Sequence, residues 1–184
     1  MPGCPRSDVF DPNEVGIFHC YTRCVRRAFL CGVDQATGRN YSHRRTLIQK
    51  RLELLASVFA IEVLEFAVME NHLHVILRNR PDLVSGWSDD EVMRRWMLLN
   101  AKSLELNDEP REERIEAALA DIDTVADRRE RLAHLSWFMA MLDESIARTC
   151  NREDNCRGHF WEERYKCQAL VSEEAVLACA VYVN

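Results

Sequence analysis

The stretch that decides the fold is FAVMENHLHVIL, residues 66–77, a run of β-forming residues with two histidines one residue apart. Successive side chains of a β-strand point to opposite faces. His72 and His74 are therefore predicted to project from one face of a strand, while Leu73 points to the other face. A metal ion or a phosphate group could lie against the histidine-bearing face.

The residues around this strand predict its neighbours. A Glu-Asn pair before His72 suits a tight turn. It predicts an antiparallel hairpin that joins a strand over residues 61–69 to one over 72–77. Outward from the hairpin, the patterns of apolar residues predict a strand over 17–25, helices over 43–59 and from 88, two helical pieces within 111–150, a strand over 159–171 and a last helix from 173.

This order of elements favours an α+β fold in one domain, residues 1–184. We expect a four-stranded antiparallel sheet of ferredoxin-like (RRM-like) type, with helices on one face and a helical insert over about 82–150. A chain of 184 residues that is 47% hydrophobic is long enough to bury one core.

The sequence shows no apolar leader and no run of eighteen apolar residues, so we expect a soluble, cytoplasmic protein that does not enter the membrane. Its eight cysteines are scattered, and we expect them to be reduced. A zinc site at Cys150, Cys156 and His159 is the alternative that we consider weaker, because their spacing matches no established zinc pattern.

The charge is unevenly distributed along the chain. The formal net charge of −6 argues against an indiscriminate binder of polyanions. Basic residues nevertheless dominate between positions 23 and 51, and acidic residues dominate between 105 and 130. Two solvated faces of opposite charge would explain this pattern without any nucleic acid.

The histidine pair has two interpretations. Two imidazoles on one strand face offer a divalent metal two ligands and leave open positions for a water or substrate oxygen. The alternative is that the pair is structural or simply exposed. For His72 and His74 alone, we would favour the structural interpretation.

Further motifs, which occur in the same order as in a known family, favour the metal-binding interpretation of the histidine pair. The His72-Leu73-His74 triplet is the signature of the HUH nucleases, and its setting resembles that of the single-tyrosine, IS200-like transposases. Residues 18–23, FHCYTR, and residues 158–166, GHFWEERYK, fit the same pattern, and so does the final segment AVYVN, residues 180–184. Together these motifs resemble the bacterial REP-associated tyrosine transposases.

The resemblance implies a fold, an activity and a cofactor. His72 and His74 would hold Mg²⁺ or Mn²⁺ against the scissile phosphate of single-stranded, hairpin-forming DNA. Tyr182, on the final helix, would attack that phosphate, forming a 5′-phosphotyrosine link and releasing a 3′-hydroxyl that permits later strand transfer. A tyrosine hydroxyl ordinarily titrates near pH 10, so its deprotonation would need assistance.

Other tyrosines and other functions stay open at this point. Tyr165 is the rival nucleophile, Tyr21 and Tyr41 lack the motif context, and Tyr182 itself could be a core residue. A non-cleaving protein that binds hairpin DNA is one alternative function, and a rolling-circle initiator or relaxase is another. Either a monomer or a homodimer is compatible with the sequence. Relatives commonly continue beyond the tyrosine to a third metal ligand, so we expect a truncated carboxyl end.

DNA contacts are expected from basic and aromatic residues, because arginines follow phosphates and aromatic rings stack on bases. Arg44 and Arg45 could equally form a solvated helix face. The expected DNA-binding residues are Arg23, Arg26, Arg27, Arg44, Arg45, Trp161 and Arg164.

Overall fold

The structure is a computed structural model that describes residues 13–25, 28–99 and 112–183. Four strands and seven helices occur in this part of the chain. Their bounds are β1 (Gly16–Arg23), α1 (His43–Val58), β2 (Ile61–Val68), β3 (His72–Asn79), α2 (Pro81–Ser85), α3 (Asp89–Leu98), α4 (Glu112–Leu119), α5 (Ile122–Ala133), α6 (Leu135–Glu153), β4 (Lys166–Ala169) and α7 (Glu173–Val183).

The strands form one antiparallel sheet in the order β2-β3-β1-β4. Both β1 and β3 are therefore central, and the links from β1 to β2 and from β3 to β4 are crossovers that contain helices. This arrangement confirms the predicted four-stranded antiparallel sheet of ferredoxin-like type. The register sets Tyr21 opposite His74 and Arg23 opposite His72.

One face of the sheet carries the apolar core. Phe18 and Cys20 of β1, together with Leu73 and Val75 of β3, point to this face and are buried. Ile48, Leu52 and Leu55 of α1 and Phe138, Leu142 and Ile146 of α6 recur at helical spacing and belong to the same cluster. Helix α6 lies within the predicted insert, yet it packs beside α1 as the second crossover helix.

The smaller helices α2–α5 pack mainly on one another, with α3 against α4 and α5. Ser88 caps α3: its side-chain oxygen accepts a hydrogen bond of 3.2 Å from the backbone N–H of Glu91. No helix in the described ranges is both long and apolar enough to cross a membrane.

Strand β4 is shorter than predicted, because only residues 166–169 pair with β1. The preceding residues make only an isolated bridge to the end of β1, between Trp161 and Cys24, and run along α6. There Trp161 donates a hydrogen bond of 2.9 Å from its ring N–H to the carbonyl of Asp143, and Tyr165 is buried. Gly158, with φ of +115°, allows the chain to turn onto this path.

Candidate active site on the histidine face of the sheet

The face of the sheet opposite the core carries a polar cluster that we call the histidine face. It comprises His19, Tyr21 and Arg23 of β1 together with His72 and His74 of β3. These residues alternate with buried apolar side chains along both strands, which places them together. The two histidines that the sequence singles out therefore lie beside a third from the neighbouring strand.

The third histidine contacts the pair directly. His19 Nε2 lies 3.0 Å from His74 Nδ1, which is a hydrogen bond, and the two rings stack with centroids 5.2 Å apart. The ring of Tyr21 lies 5.6 Å from the His74 ring and 5.8 Å from the His19 ring, so the three rings form a cluster. His72 lies further away, with its ring centroid 5.9 Å from that of His74. His74 is consequently held on several sides, and it is 7% exposed.

The surroundings keep these imidazoles neutral. Burial, assisted by the nearby His19 and His72, lowers the pKa of His74 to about 4. Burial and the positive charge of Arg23 also lower the pKa of His72, and burial lowers that of His19. A neutral imidazole has a free electron pair, which is the form that binds a metal ion.

Helix α7 brings Tyr182 to this face. The helix packs against β2 and β3, and the ring of Tyr182 meets the ring of His74 edge to face, with centroids 5.7 Å apart. Tyr182 is 64% exposed, so a large substrate can approach its hydroxyl. The predicted nucleophile and the predicted metal ligands are thus neighbours, although they are separated by more than a hundred residues of sequence.

The rival Tyr165 is on the other side of the sheet. It is buried, and its hydroxyl forms a hydrogen bond of 2.8 Å with the hydroxyl of Ser136 on α6. Tyr41 contacts Arg44 and Phe29, outside the histidine face. Of the three other tyrosines, only Tyr21 contacts His74, and the sequence motifs did not indicate it as the nucleophile.

The predicted DNA-binding residues have different surroundings. Arg23 is exposed beside His72, with its Nε 3.8 Å from a carboxylate oxygen of Glu162. Arg45 and Arg164 are exposed, and Trp161 is half-buried against α6. Arg26 and Arg27 lie outside the described residues.

The structure does not support the prediction that Arg44 contacts DNA. It is fully buried, and its guanidinium lies 2.8 Å from Glu153 and 2.7 Å from Asp154 at the end of α6. It also donates to the carbonyl of Phe29. Because these acceptors engage the guanidinium inside the protein, we remove Arg44 from the expected DNA contacts and assign it a structural role.

The histidine pair fits a divalent metal in its donor chemistry, since both imidazoles are neutral and lie on one face. His74 Nδ1 is occupied by His19, which leaves Nε2 as its free ring nitrogen. Across the described ranges, no group of three His, Cys, Asp or Glu side chains is arranged to hold a metal ion. Neither does the suggested set of Cys150, Cys156 and His159 form a metal-binding group.

The alternation of residues in β1 could have identified His19 and Tyr21 as residues of the histidine face. In β1, His19 and Tyr21 alternate with the buried Phe18, Cys20 and Thr22. In the ferredoxin-like strand order, β1 lies next to β3. The polar positions of β1 could therefore have been assigned to the face of His72 and His74.

Comparisons with known proteins add one structural likeness. No protein-family model matches the sequence, and no curated protein matches it. The chain is similar in structure to a solved REP-associated tyrosine transposase bound to a REP hairpin, with a TM-score of 0.48 and 10% sequence identity. The match covers 91% of this chain and 64% of the solved one, so this chain spans less than two thirds of that protein.

Proposed function

We propose that the protein is a metal-dependent endonuclease and strand transferase for single-stranded DNA, with Tyr182 as its nucleophile and His72 and His74 as its metal ligands. The observation that supports this proposal best is the contact of Tyr182 with His74, 5.7 Å between ring centroids, on the face that also carries His72. The motifs that resemble REP-associated tyrosine transposases favour hairpin-forming, REP-like DNA as the substrate.

In the proposed reaction, the Tyr182 hydroxyl oxygen attacks the scissile phosphorus. A bond forms between the tyrosine oxygen and phosphorus, and the bond from phosphorus to the 3′-oxygen breaks. The tyrosine proton is transferred to the departing 3′-oxygen, which becomes a free hydroxyl. The product is a 5′-phosphotyrosine link that conserves the phosphodiester energy, so a second 3′-hydroxyl can reverse the step on another strand.

The residues of the histidine face have separate roles in this scheme. When bound, Mg²⁺ or Mn²⁺ would supply Lewis-acid stabilisation of charge on the scissile phosphate. His72 and His74 would hold the ion through their neutral imidazoles. The exposed Arg23, opposite His72 in the register, is placed to contact a phosphate that flanks the cleaved one.

A covalent-adduct assay tests the proposal. The protein is incubated with Mn²⁺ and a labelled single-stranded oligonucleotide that contains a hairpin, and the adduct is sought by denaturing electrophoresis. We expect an adduct with the wild type and with Tyr165→Phe, and none with Tyr182→Phe. If an adduct still forms with Tyr182→Phe but not with Tyr21→Phe, then the nucleophile is Tyr21, the other tyrosine beside His74.

The same assay separates the alternative functions. A protein that binds the hairpin but forms no adduct over a panel of hairpins would be a non-cleaving binding protein, and the catalytic proposal would fail. His72→Ala is expected to abolish the adduct and to retain binding, because Arg23 and the other basic residues remain. The finding that DNA without a hairpin is cleaved equally well would favour an initiator or relaxase.

A further inference from the structure

A groove lies beside the end of β1 that carries Arg23. It is a cavity of about 600 Å³ between α6 and residues 158–165, a volume within the range of about 300–1,000 Å³ typical of ligand sites. The α6 side of the groove is open because small residues, Ala140 and Ala147, line it. We call this cavity the α6 groove.

The groove contains a carboxyl oxygen for which the described residues supply no hydrogen-bond partner. Asp143 of α6 lines the cavity, and its Oδ1 is buried with no hydrogen-bond partner among the described residues. Buried polar atoms in folded proteins are almost always paired, so this oxygen leaves a hydrogen bond to be made. Burial raises the pKa of Asp143 to about 7, which agrees with a carboxyl that lacks donors.

An aromatic side chain forms another part of the wall. The ring N–H of Trp161 donates to the backbone carbonyl of Asp143, and its ring meets that of Phe160 edge to face, with centroids 4.8 Å apart. These contacts fix the orientation of the indole. Because Trp161 is only half-buried, part of it remains available to a flat ligand. Aromatic faces in grooves of this kind stack on nucleic-acid bases.

The groove is adjacent to the proposed cleavage site. The backbone N–H of Glu162 donates to the carbonyl of Arg23, and Val25 donates to that of Phe160, each over 2.9 Å. Arg23 is in turn opposite His72 in the sheet. Exposed Arg164 also lines the groove. Glu162 therefore links the two sites, since it lines the groove and its carboxylate lies 3.8 Å from Arg23 Nε on the histidine face.

We propose that the α6 groove binds one unstacked guanine base of single-stranded DNA, stacked on Trp161 and read by the carboxylate of Asp143. This proposal rests on the proposed function, since it assumes that DNA occupies the histidine face. An ionised carboxylate only accepts hydrogen bonds, and guanine presents two adjacent N–H donors, N1–H and N2–H, on its Watson–Crick edge. Thymine has one such donor, and adenine and cytosine each place an acceptor beside theirs.

Binding of labelled oligonucleotides to the full chain tests the proposal. The probes are a twelve-residue oligothymidine and the same oligonucleotide with one central guanine, inosine or adenine, and the readout is fluorescence anisotropy. We expect the guanine probe to bind about tenfold more tightly than oligothymidine, in line with the discrimination that a bidentate contact provides. Inosine, which lacks the N2 amino group, should lose most of that gain.

Two variants of the groove and one control complete the test. Asp143→Asn should remove the guanine preference and leave the affinity for oligothymidine within about twofold. Ala140→Leu, an exposed position on the groove wall, should reduce the preference by filling the space. Glu144→Gln removes the same charge from the adjacent position, outside the groove, and should retain the preference.

Each outcome has one meaning. Equal binding of the guanine and inosine probes, or a guanine preference that survives Asp143→Asn, overturns the guanine site and leaves the proposed function intact. A preference for adenine in the wild type overturns it as well. Failure of all four probes to bind, together with failure of a hairpin oligonucleotide to bind, would instead overturn the proposed function.

Discussion

His19 Nε2 lies 3.0 Å from His74 Nδ1, so the histidine that the motif left out is bonded to one that it contains. A neutral imidazole carries one N–H and one free electron pair. If His74 Nδ1 donates to His19, then the free electron pair of His74 is on Nε2, the nitrogen left for a metal. In the opposite tautomer, Nε2 carries the proton and cannot bind the ion. In the tautomer that leaves Nε2 for a metal, His19 accepts the Nδ1 proton of His74 and acts as a positioning residue for that ring.

The first prediction is that His19→Ala weakens Mn²⁺ binding by about tenfold or more, the effect usual for removal of a group that orients a metal ligand. Binding is measured in the absence of DNA by electron paramagnetic resonance of free Mn²⁺. His19→Gln is the matched control, because its amide oxygen can accept from Nδ1–H and should restore part of the affinity. Equal affinity of His19→Ala and the wild type would mean that the contact has no influence on the metal.

The second prediction concerns Arg44, which the sequence grouped with DNA contacts. Arg44→Met should destabilise the protein by about 2–4 kcal/mol, because Glu153 and Asp154 lose a buried partner. Arg45→Met, at the exposed neighbouring position, should change the stability by less than about 0.5 kcal/mol. Urea unfolding followed by circular dichroism measures both. Similar stability of the two variants would contradict the structural role of Arg44.

The contrast between His72 and Arg44 illustrates what a sequence can and cannot predict here. Strand alternation is local, so it correctly placed His72 and His74 on one face. The partners of Arg44 lie about 110 positions further along the chain, and a count of local charges cannot detect them. His19 was missed for a related reason, since the pairing of β1 with β3 is a tertiary contact.

The same reasoning applies to the later elements. The last helix and its tyrosine were predicted, because the apolar residues from position 173 onward follow a helical pattern. The extent of β4 was not predicted, because residues 160–162 make only an isolated bridge to the end of β1 and also pack on α6. There Trp161 bonds to the Asp143 carbonyl, and that contact depends on how α6 is placed. Propensity alone does not contain this information.

The third prediction is a loss of stability in mild acid that depends on His74. Its pKa is about 4 in the folded protein, against about 6.5 for an unperturbed histidine. Between these values the unfolded chain binds a proton that the folded protein does not, so the free energy of unfolding falls as the pH falls from about 6.5 to 4. His74→Gln should show a smaller fall in its urea midpoint over this range. Parallel curves for the two proteins would exclude His74 as the cause.

The last prediction is the opposite pH dependence at Asp143. Its pKa is about 7 in the folded protein, well above the ordinary aspartate value of 3.8. Between these values the folded protein retains a proton that the unfolded chain loses, so this group makes the protein less stable as the pH rises from about 4 to 7. Asp143→Asn removes the titration.

Relative to the wild type, Asp143→Asn should therefore gain roughly 2–4 kcal/mol on going from pH 4.5 to pH 8. Thermal or urea unfolding at these two pH values measures the gain, and Glu144→Gln, at an exposed position, is expected to show none. If the guanine site is correct, a guanine-containing oligonucleotide should stabilise the wild type more at pH 8 than at pH 5.5, because its N–H donors require the ionised carboxylate. Equal stabilisation at both pH values would show that the charge of the Asp143 carboxylate has no part in base recognition.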